Sequence, residues 1–137
     1  MHVSRFLMAA GLALLVGTVA MSAQSKTDED FDKLMKGVGS ANGAMRKAAD
    51  ATATAAEAAK LETLFKDAQQ FWKARNNNEA AEWSEAAAKH AEAIVTAAKA
   101  GKMEDVAAHQ KELGGTCQTC HAKYREKTET GFAIKKG

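Results

Sequence analysis

The residues with the clearest chemical potential lie late in the chain, where two cysteines and a histidine stand close together. Cys117 and Cys120 are the only cysteines of the 137-residue sequence, and His121 follows the second one directly. Two cysteines separated by two residues and followed by His form the attachment pattern of c-type haem. Each thiol can bond to one vinyl group of the porphyrin, and on a helix the imidazole lies one turn beyond the first cysteine, within reach of the iron. The motif therefore predicts one covalently bound haem c with His121 as the proximal iron ligand.

Three other interpretations of the same residues stay open. In an oxidising compartment the two cysteines can form a local disulfide or act as a dithiol redox pair. A dithiol motif normally lies at the start of a helix, whereas this pair falls late in a helical pattern that no strand pattern precedes. A zinc site needs a fourth ligand besides two thiolates and one imidazole. Haem attachment is the interpretation that the spacing favours.

The first 23 residues are typical of a secretory signal peptide. Arg5 is followed by an almost uninterrupted run of apolar or small residues from Phe6 to Met21, after which polar sequence returns. This run is shorter than the ~20 residues of a membrane-spanning helix, and it ends in small residues. We expect cleavage after Ala23, export to the periplasm and a mature domain of residues 24–137 without membrane attachment. A retained membrane anchor is the alternative.

Composition and charge narrow the class of protein further. The sequence is 46% hydrophobic and 26% charged, contains no Pro and has a formal net charge of +2. Such a balanced charge argues against a dedicated nucleic-acid binder, because phosphate contacts need a basic surface. Many Ala, Lys and Glu residues with few β-branched ones indicate an all-α protein. A single domain of this size has a marginal core, which a bound cofactor could stabilise.

Apolar residues recur at helical spacing in four segments. The first opens at Thr27, a good N-cap that acidic residues follow, and the third ends before Gly101. Connections this short make neighbouring helices antiparallel, so the sequence predicts an up-down-up-down four-helix bundle that carries the covalent haem. The later three segments are predicted from about Ala53 to Arg75, from about Glu79 to Ala100 and from about Met103 to Thr128.

The segment from Leu113 to Arg125 resembles the haem site of class II c-type cytochromes, the cytochrome c′ group and its low-spin relatives. In that family the attachment motif lies near the end of the last helix, a Gly stands three residues before the first cysteine, and an aromatic and a basic residue follow. Gly114, Tyr124 and Arg125 match those positions. The resemblance implies that Tyr124 packs beside the haem and that Arg125 lies close enough to influence its charge or a propionate.

One position in the first helix decides the second axial ligand of the iron in that family. An apolar residue there leaves a five-coordinate, high-spin iron, whereas Met gives a six-coordinate, low-spin one. The tripeptide Leu34-Met35-Lys36 resembles the low-spin subgroup and places Met35 at this position. Met/His ligation raises the reduction potential and suits electron transfer. A Met in an apolar stripe is more often core filler, and Met45 and His90 are weaker alternative ligands.

Two glycines follow Met35 on the same helical face. Gly39 and Gly43 stand four and eight residues after it. Because Gly inside a helix is unfavourable by about 1 kcal/mol relative to Ala, close approach of a haem plane or a neighbouring helix would explain both.

These residues together predict a periplasmic monohaem cytochrome that carries single electrons between redox partner proteins and turns over no substrate. The alternative function is a five-coordinate cytochrome c′-like protein that binds nitric oxide or another small gas. A homodimer is also left open. Several cations near the haem end could steer an acidic partner, although interleaved Glu126 and Glu129 make a solvated helix end the competing interpretation. These cations are Lys123, Arg125, Lys127, Lys135 and Lys136.

Overall fold

The computed structural model describes residues 26–136, so the predicted signal peptide lies outside the described residues. Four α-helices are followed by two short antiparallel strands. None of these helices has the length and hydrophobicity that crossing a membrane requires. The elements are α1 (Asp28–Arg46), α2 (Ala51–Lys73), α3 (Asn78–Lys99), α4 (Met103–Tyr124), β1 (Arg125–Thr128) and β2 (Gly131–Ile134).

Local capping sets most of the helix ends. Thr27 forms a capping box with Asp30, whose backbone N–H donates to the Thr27 hydroxyl (3.2 Å) while its carboxylate accepts from the Thr27 backbone N–H (2.8 Å). Asp50 and Asn77 each accept a backbone N–H three residues further on. Gly101 stops α3 because its φ of 71° suits a residue without Cβ.

Consecutive helices are antiparallel, because each pair brings an early residue of one helix beside a late residue of the other. These contacts join Phe31 and Phe71, Gln69 and Glu85, and Trp83 and Tyr124. The predicted all-α architecture of four antiparallel helices is therefore confirmed, and the other predicted helix bounds lie within two residues of the observed ones.

The core has two parts. The main core runs along the bundle, where many Ala residues let the helices approach closely around the fully buried Leu61 and Ile94. A separate aromatic cluster lies at the end of the bundle that holds the last residues of α4. This aromatic cluster consists of Phe31, Phe71, Trp72, Ala80, Ala81, Tyr124 and Ile134.

The predicted end of the fourth helix at Thr128 is wrong. The helix stops at Tyr124, and the next residues form β1, which pairs with β2 in a hairpin. The helical apolar stripe has no member after Tyr124, whereas Ile134 of β2 packs against the aromatic cluster. The backbone N–H of Lys135 donates to the Tyr124 carbonyl (2.8 Å), which ties the hairpin to the end of α4.

Candidate functional site

The cysteine and histidine motif lies in the last two turns of α4. Cys117 and Cys120 are both half-buried free thiols, and Cys117 packs against the main core. His121 is also half-buried and lies one helical turn after Cys117. The α4 helix therefore presents two sulfurs one turn apart on its inner side, with the imidazole beside them.

The environment keeps both thiols protonated near neutral pH. Burial raises the pKa of Cys120 to about 11, and the neighbouring thiol and Glu79 contribute further. Burial also raises the pKa of Cys117. Dithiol oxidoreductases need the opposite shift, since a lowered cysteine pKa supplies the reactive thiolate. The surroundings of these cysteines therefore disfavour the dithiol interpretation.

The three side chains of the motif do not converge on one point. Within residues 26–136 there is no group of three or more His, Cys, Asp or Glu side chains arranged to hold a metal ion. A structural zinc site needs its ligands around a single centre. Haem attachment has a different requirement, because the sulfurs bond to the edge of the porphyrin and only the imidazole reaches the iron.

His121 has the protonation state that metal ligation needs. Burial lowers the pKa of His121, and the positive charge of Arg125 lowers it further. The imidazole is therefore neutral at neutral pH, with one ring nitrogen free to bind iron.

His121 lies on the flank of α4 that is turned toward α1. Gly114 precedes it by seven residues, close to two full turns, so both share one strip of the helix. A Cβ added at Gly114 would lie 3.9 Å from Nη2 of Arg46, at the end of α1. This contact identifies the strip of α4 that faces α1.

Met35 lies on the corresponding flank of α1. It precedes Arg46 by 11 residues, close to three full turns, so the two share one strip. The other flank of α1 faces α2, because a Cβ added at Gly37 would lie 3.6 Å from Leu64. Met35 is half-buried and packs at the edge of the main core. It is thus turned toward the side of α1 on which α4 lies.

Met35 and His121 also lie at the same height in the bundle. Phe31 and Tyr124 belong to the same aromatic cluster at one end. Met35 is four residues from Phe31, and His121 is three residues from Tyr124 in the antiparallel helix. At 1.5 Å per residue, the two are about 6 and 4.5 Å from that shared level. The antiparallel arrangement therefore brings the predicted axial ligands to matching positions.

The first and last helices are not closely packed against each other. Close packing joins α1 to α2, α2 to α3 and α3 to α4, whereas α1 and α4 do not pack along each other. We call this gap, flanked by Met35 and Arg46 on α1 and by Gly114 and His121 on α4, the α1–α4 seam. A Cβ added at Gly39 or Gly43 would meet no atom within 4 Å. No neighbouring helix explains these glycines, and the donor set at the seam is one that could hold a haem.

The side chain of Tyr124 contacts α2 and α3. Its ring is 5.4 Å from that of Trp72 and 5.9 Å from that of Trp83, and its hydroxyl donates to the Glu79 carboxylate (2.8 Å). Lys123 donates to the same carboxylate. Tyr124 thus fastens the last turn of α4 to α3 and supports the motif from the α3 side.

Arg125 lies beside His121. Both residues line a shallow depression that also contains Lys127 and Phe132 of the hairpin. Nothing in the sequence singles out Phe132, because a single aromatic residue in a short segment carries no periodic signal. The pairing of β1 with β2 brings it to this place.

The remaining candidate ligands lie elsewhere. Met45 is almost fully buried in the main core. His90 and His109 face each other across α3 and α4 with ring centroids 6.0 Å apart. Neither imidazole is at the α1–α4 seam, since α3 packs on the other side of α4. Among the side chains that the sequence singled out, Arg125 thus lies beside His121, and Met35 lies on the neighbouring helix at a matching height.

Comparisons with known proteins add no relative. No protein-family model, curated protein or solved structure matches the chain.

Proposed function

We propose that this protein is an exported monohaem c-type cytochrome of the class II, methionine-ligated type, which carries single electrons between redox partner proteins in the periplasm. The observation that supports this most strongly is the α1–α4 seam, where the motif on α4 and the thioether of Met35 on α1 lie at one height. Haem c, when bound, supplies an iron that alternates between Fe(III) and Fe(II). The protein turns over no substrate.

The two cysteines tether the porphyrin. Cys117 and Cys120 would hold the porphyrin through two thioether bonds, each made by addition of one S–H across one vinyl group, with the hydrogen on the other vinyl carbon. Both thiols are in the protonated form that this addition consumes, because burial raises the pKa of each. The helical turn between Cys117 and Cys120 holds the two sulfurs on one side of α4.

His121 and Met35 are the proposed axial ligands. The neutral imidazole of His121 gives the iron a nitrogen lone pair, and the thioether of Met35 favours the Fe(II) state and raises the reduction potential.

One observation favours the gas-binding alternative. Met35 packs against the main core, so its side chain already has a structural role without any ligation. If Met35 stays in that position, His121 is the only axial ligand and the other face of the iron is open to nitric oxide. The ligation state of Met35 therefore separates the two functions.

Covalent attachment is tested by producing the full chain with a haem-attachment system and extracting it with acidified organic solvent. We expect the colour to stay with the wild-type chain, and the mass of the chain to increase by one haem. The double variant Cys117→Ala/Cys120→Ala should release its colour. Thr119→Ala is the matched control, because Thr119 is exposed within the motif and should leave the linkage intact. A wild-type chain of unmodified mass would contradict the proposal.

A further inference from the structure

The β-hairpin sorts its charges onto two faces. Arg125 is paired with Ile134 and Lys127 with Phe132, and directly paired residues of antiparallel strands point to the same side. Arg125, Lys127 and Phe132 therefore share one face, which we call the cationic face. Glu126, between the two cations, points to the opposite side. Because side chains alternate between the two faces of a strand, the positive charges lie on one face and the negative charge between them in the sequence lies on the other.

The cationic face adjoins the proposed iron ligand. A depression of about 410 Å³ lies between the hairpin and the last turns of α4. The guanidinium carbon of Arg125 lies 4.2 Å from the centre of the Phe132 ring, which holds the aromatic side chain beside the cations. The depression is lined by Gln118, His121, Ala122, Arg125, Lys127 and Phe132.

In the described part of the chain, no carboxylate forms an ion pair with the cations of this face. Within residues 26–136 neither Arg125 nor Lys127 forms an ion pair, whereas the nearby Lys123 is paired with Glu79. Phe132 is 53% exposed and is the more exposed of the two large apolar side chains at the surface of the described part of the chain. The other, Met103, begins α4 at the far end of the bundle. An exposed aromatic residue held between free cations is typical of the centre of a protein interface.

We infer that the cationic face is a docking surface for an acidic electron-transfer protein, which exchanges its electron with the iron beside His121. Carboxylates of the partner would bind Arg125 and Lys127, and Phe132 would be desolvated between the two proteins. The charges steer the encounter, and the aromatic side chain stabilises the complex. This inference rests on the proposed function, because without haem there is no electron to exchange.

The test uses reduced plant-type ferredoxin as an acidic protein probe, mixed with the full-length oxidised cytochrome in a stopped-flow instrument. One electron passes from the Fe(II) of the ferredoxin cluster to the haem Fe(III), which leaves oxidised ferredoxin and reduced cytochrome. We expect Arg125→Glu/Lys127→Glu to slow this reaction about tenfold or more at low ionic strength and to abolish its decrease with added salt. Phe132→Ser should also slow the reaction, with the salt dependence retained.

The control variant Lys99→Glu/Lys102→Glu makes the same change of net charge at the α3–α4 connection, where both lysines are exposed and which lies at the opposite end of the bundle. It should stay within about twofold of the wild-type rate. Equal slowing by both double variants would overturn the inference, since net charge alone would then explain it. A changed reduction potential with an unchanged ferredoxin rate would also overturn it, because the two cations would then serve the cofactor. If the wild-type protein carries no covalent haem, the proposed function is overturned together with the docking surface. If the wild type has an intact haem spectrum and the variants of the cationic face react at the wild-type rate, only the docking surface is overturned.

Discussion

At the scale of single residues, the proposed electron-transfer function depends on the side chain of Met35. The residue has the thioether that can ligate iron, and it lies on the strip of α1 that is turned toward α4. Met45 has the same side chain ten residues further on but is buried in the main core. A comparison of the two methionines of this helix can therefore distinguish ligation from packing.

Met35→Leu should convert a six-coordinate, low-spin iron into a five-coordinate, high-spin one. Leu retains the apolar volume, so the cost to folding should stay below about 1.5 kcal/mol. Loss of the thioether should lower the reduction potential by on the order of 100 mV, because axial ligands are the main determinant of haem potential. Absorption spectra and a redox titration measure both effects. Met45→Leu should leave spectrum and potential unchanged, and an identical response of the two variants would argue against Met35 as the ligand.

At the scale of helices, substitution of a glycine in α1 can test whether a cofactor lies against the exposed flank of that helix. A Cβ at Gly39 meets no protein atom within 4 Å, so the haem-free chain has room for it. Gly39→Ala should therefore stabilise the haem-free Cys117→Ala/Cys120→Ala protein by about 0.5–1 kcal/mol. In the haem-loaded protein the gain should vanish, since the added methyl group would press against the cofactor. Thermal unfolding followed by circular dichroism measures both effects.

Gly115 provides the comparison for this experiment. It is exposed on α4, and a Cβ there also meets no atom within 4 Å. Gly115→Ala should stabilise both forms equally. If Gly39→Ala does the same, no cofactor lies against that flank of α1.

The stability that the hydrogen bonds between α3 and the last turn of α4 contribute should depend on pH. Hydrogen bonds from Lys123 and then Tyr124 lower the pKa of Glu79 below its ordinary value of 4.5. A carboxylate with a lowered folded-state pKa stabilises the fold above its unfolded pKa and loses that contribution as the pH falls through the folded pKa. Glu79→Gln should therefore lower the Tm slightly at pH 7 and have less effect in acid below about pH 4.

The nearby Glu82 provides the control for the Glu79→Gln substitution. It lies one turn further along α3 and is exposed. Glu82→Gln should leave the Tm close to that of the wild type at both pH values. A Tm decrease for Glu79→Gln that persists unchanged in acid would mean that the hydrogen bonds to Lys123 and Tyr124 are not its cause.

The elements differ in how far the sequence predicts them. The helices are predictable because their apolar spacing and caps, such as Thr27 and Gly101, are local signals. The hairpin is not, because Phe132 and Ile134 are too few to mark a strand, and β2 is held by the contact of Ile134 with the aromatic cluster. The motif on α4 can be recognised from the sequence spacing of its two cysteines and its histidine alone. The position of Phe132 beside His121 depends on strand pairing and could not be read from the sequence.

At the scale of the whole molecule, α1 and α4 are the two helices with the fewest packed neighbours. The α1 helix packs along α2 and touches β2, and α4 packs along α3, whereas α2 and α3 each pack against two helices. A helix with few packed neighbours opens at lower free energy than the core of the fold. A cofactor tethered to α4 and ligated from α1 would supply the missing contact.

Hydrogen exchange of the backbone amides can measure this contribution. In the haem-free Cys117→Ala/Cys120→Ala protein, amides of α1 around Met35 should exchange roughly tenfold or more faster than in the haem-loaded wild type. Amides around Ile94, which is fully buried in α3, should change less. Equal changes in both helices would mean that the cofactor stabilises the bundle without bridging α1 and α4.

The proposed function requires that the motif on α4 and Met35 hold one haem in a low-spin state. The optical absorption spectrum of the exported protein can decide this. The spectrum should be recorded in the oxidised and the reduced form, on protein whose colour resists acidified organic solvent. Ligation by His121 and Met35 predicts sharp low-spin bands in the reduced form and a weak sulfur-to-iron band in the oxidised form. Broad high-spin bands would contradict ligation by Met35, and a colourless protein would contradict the haem altogether.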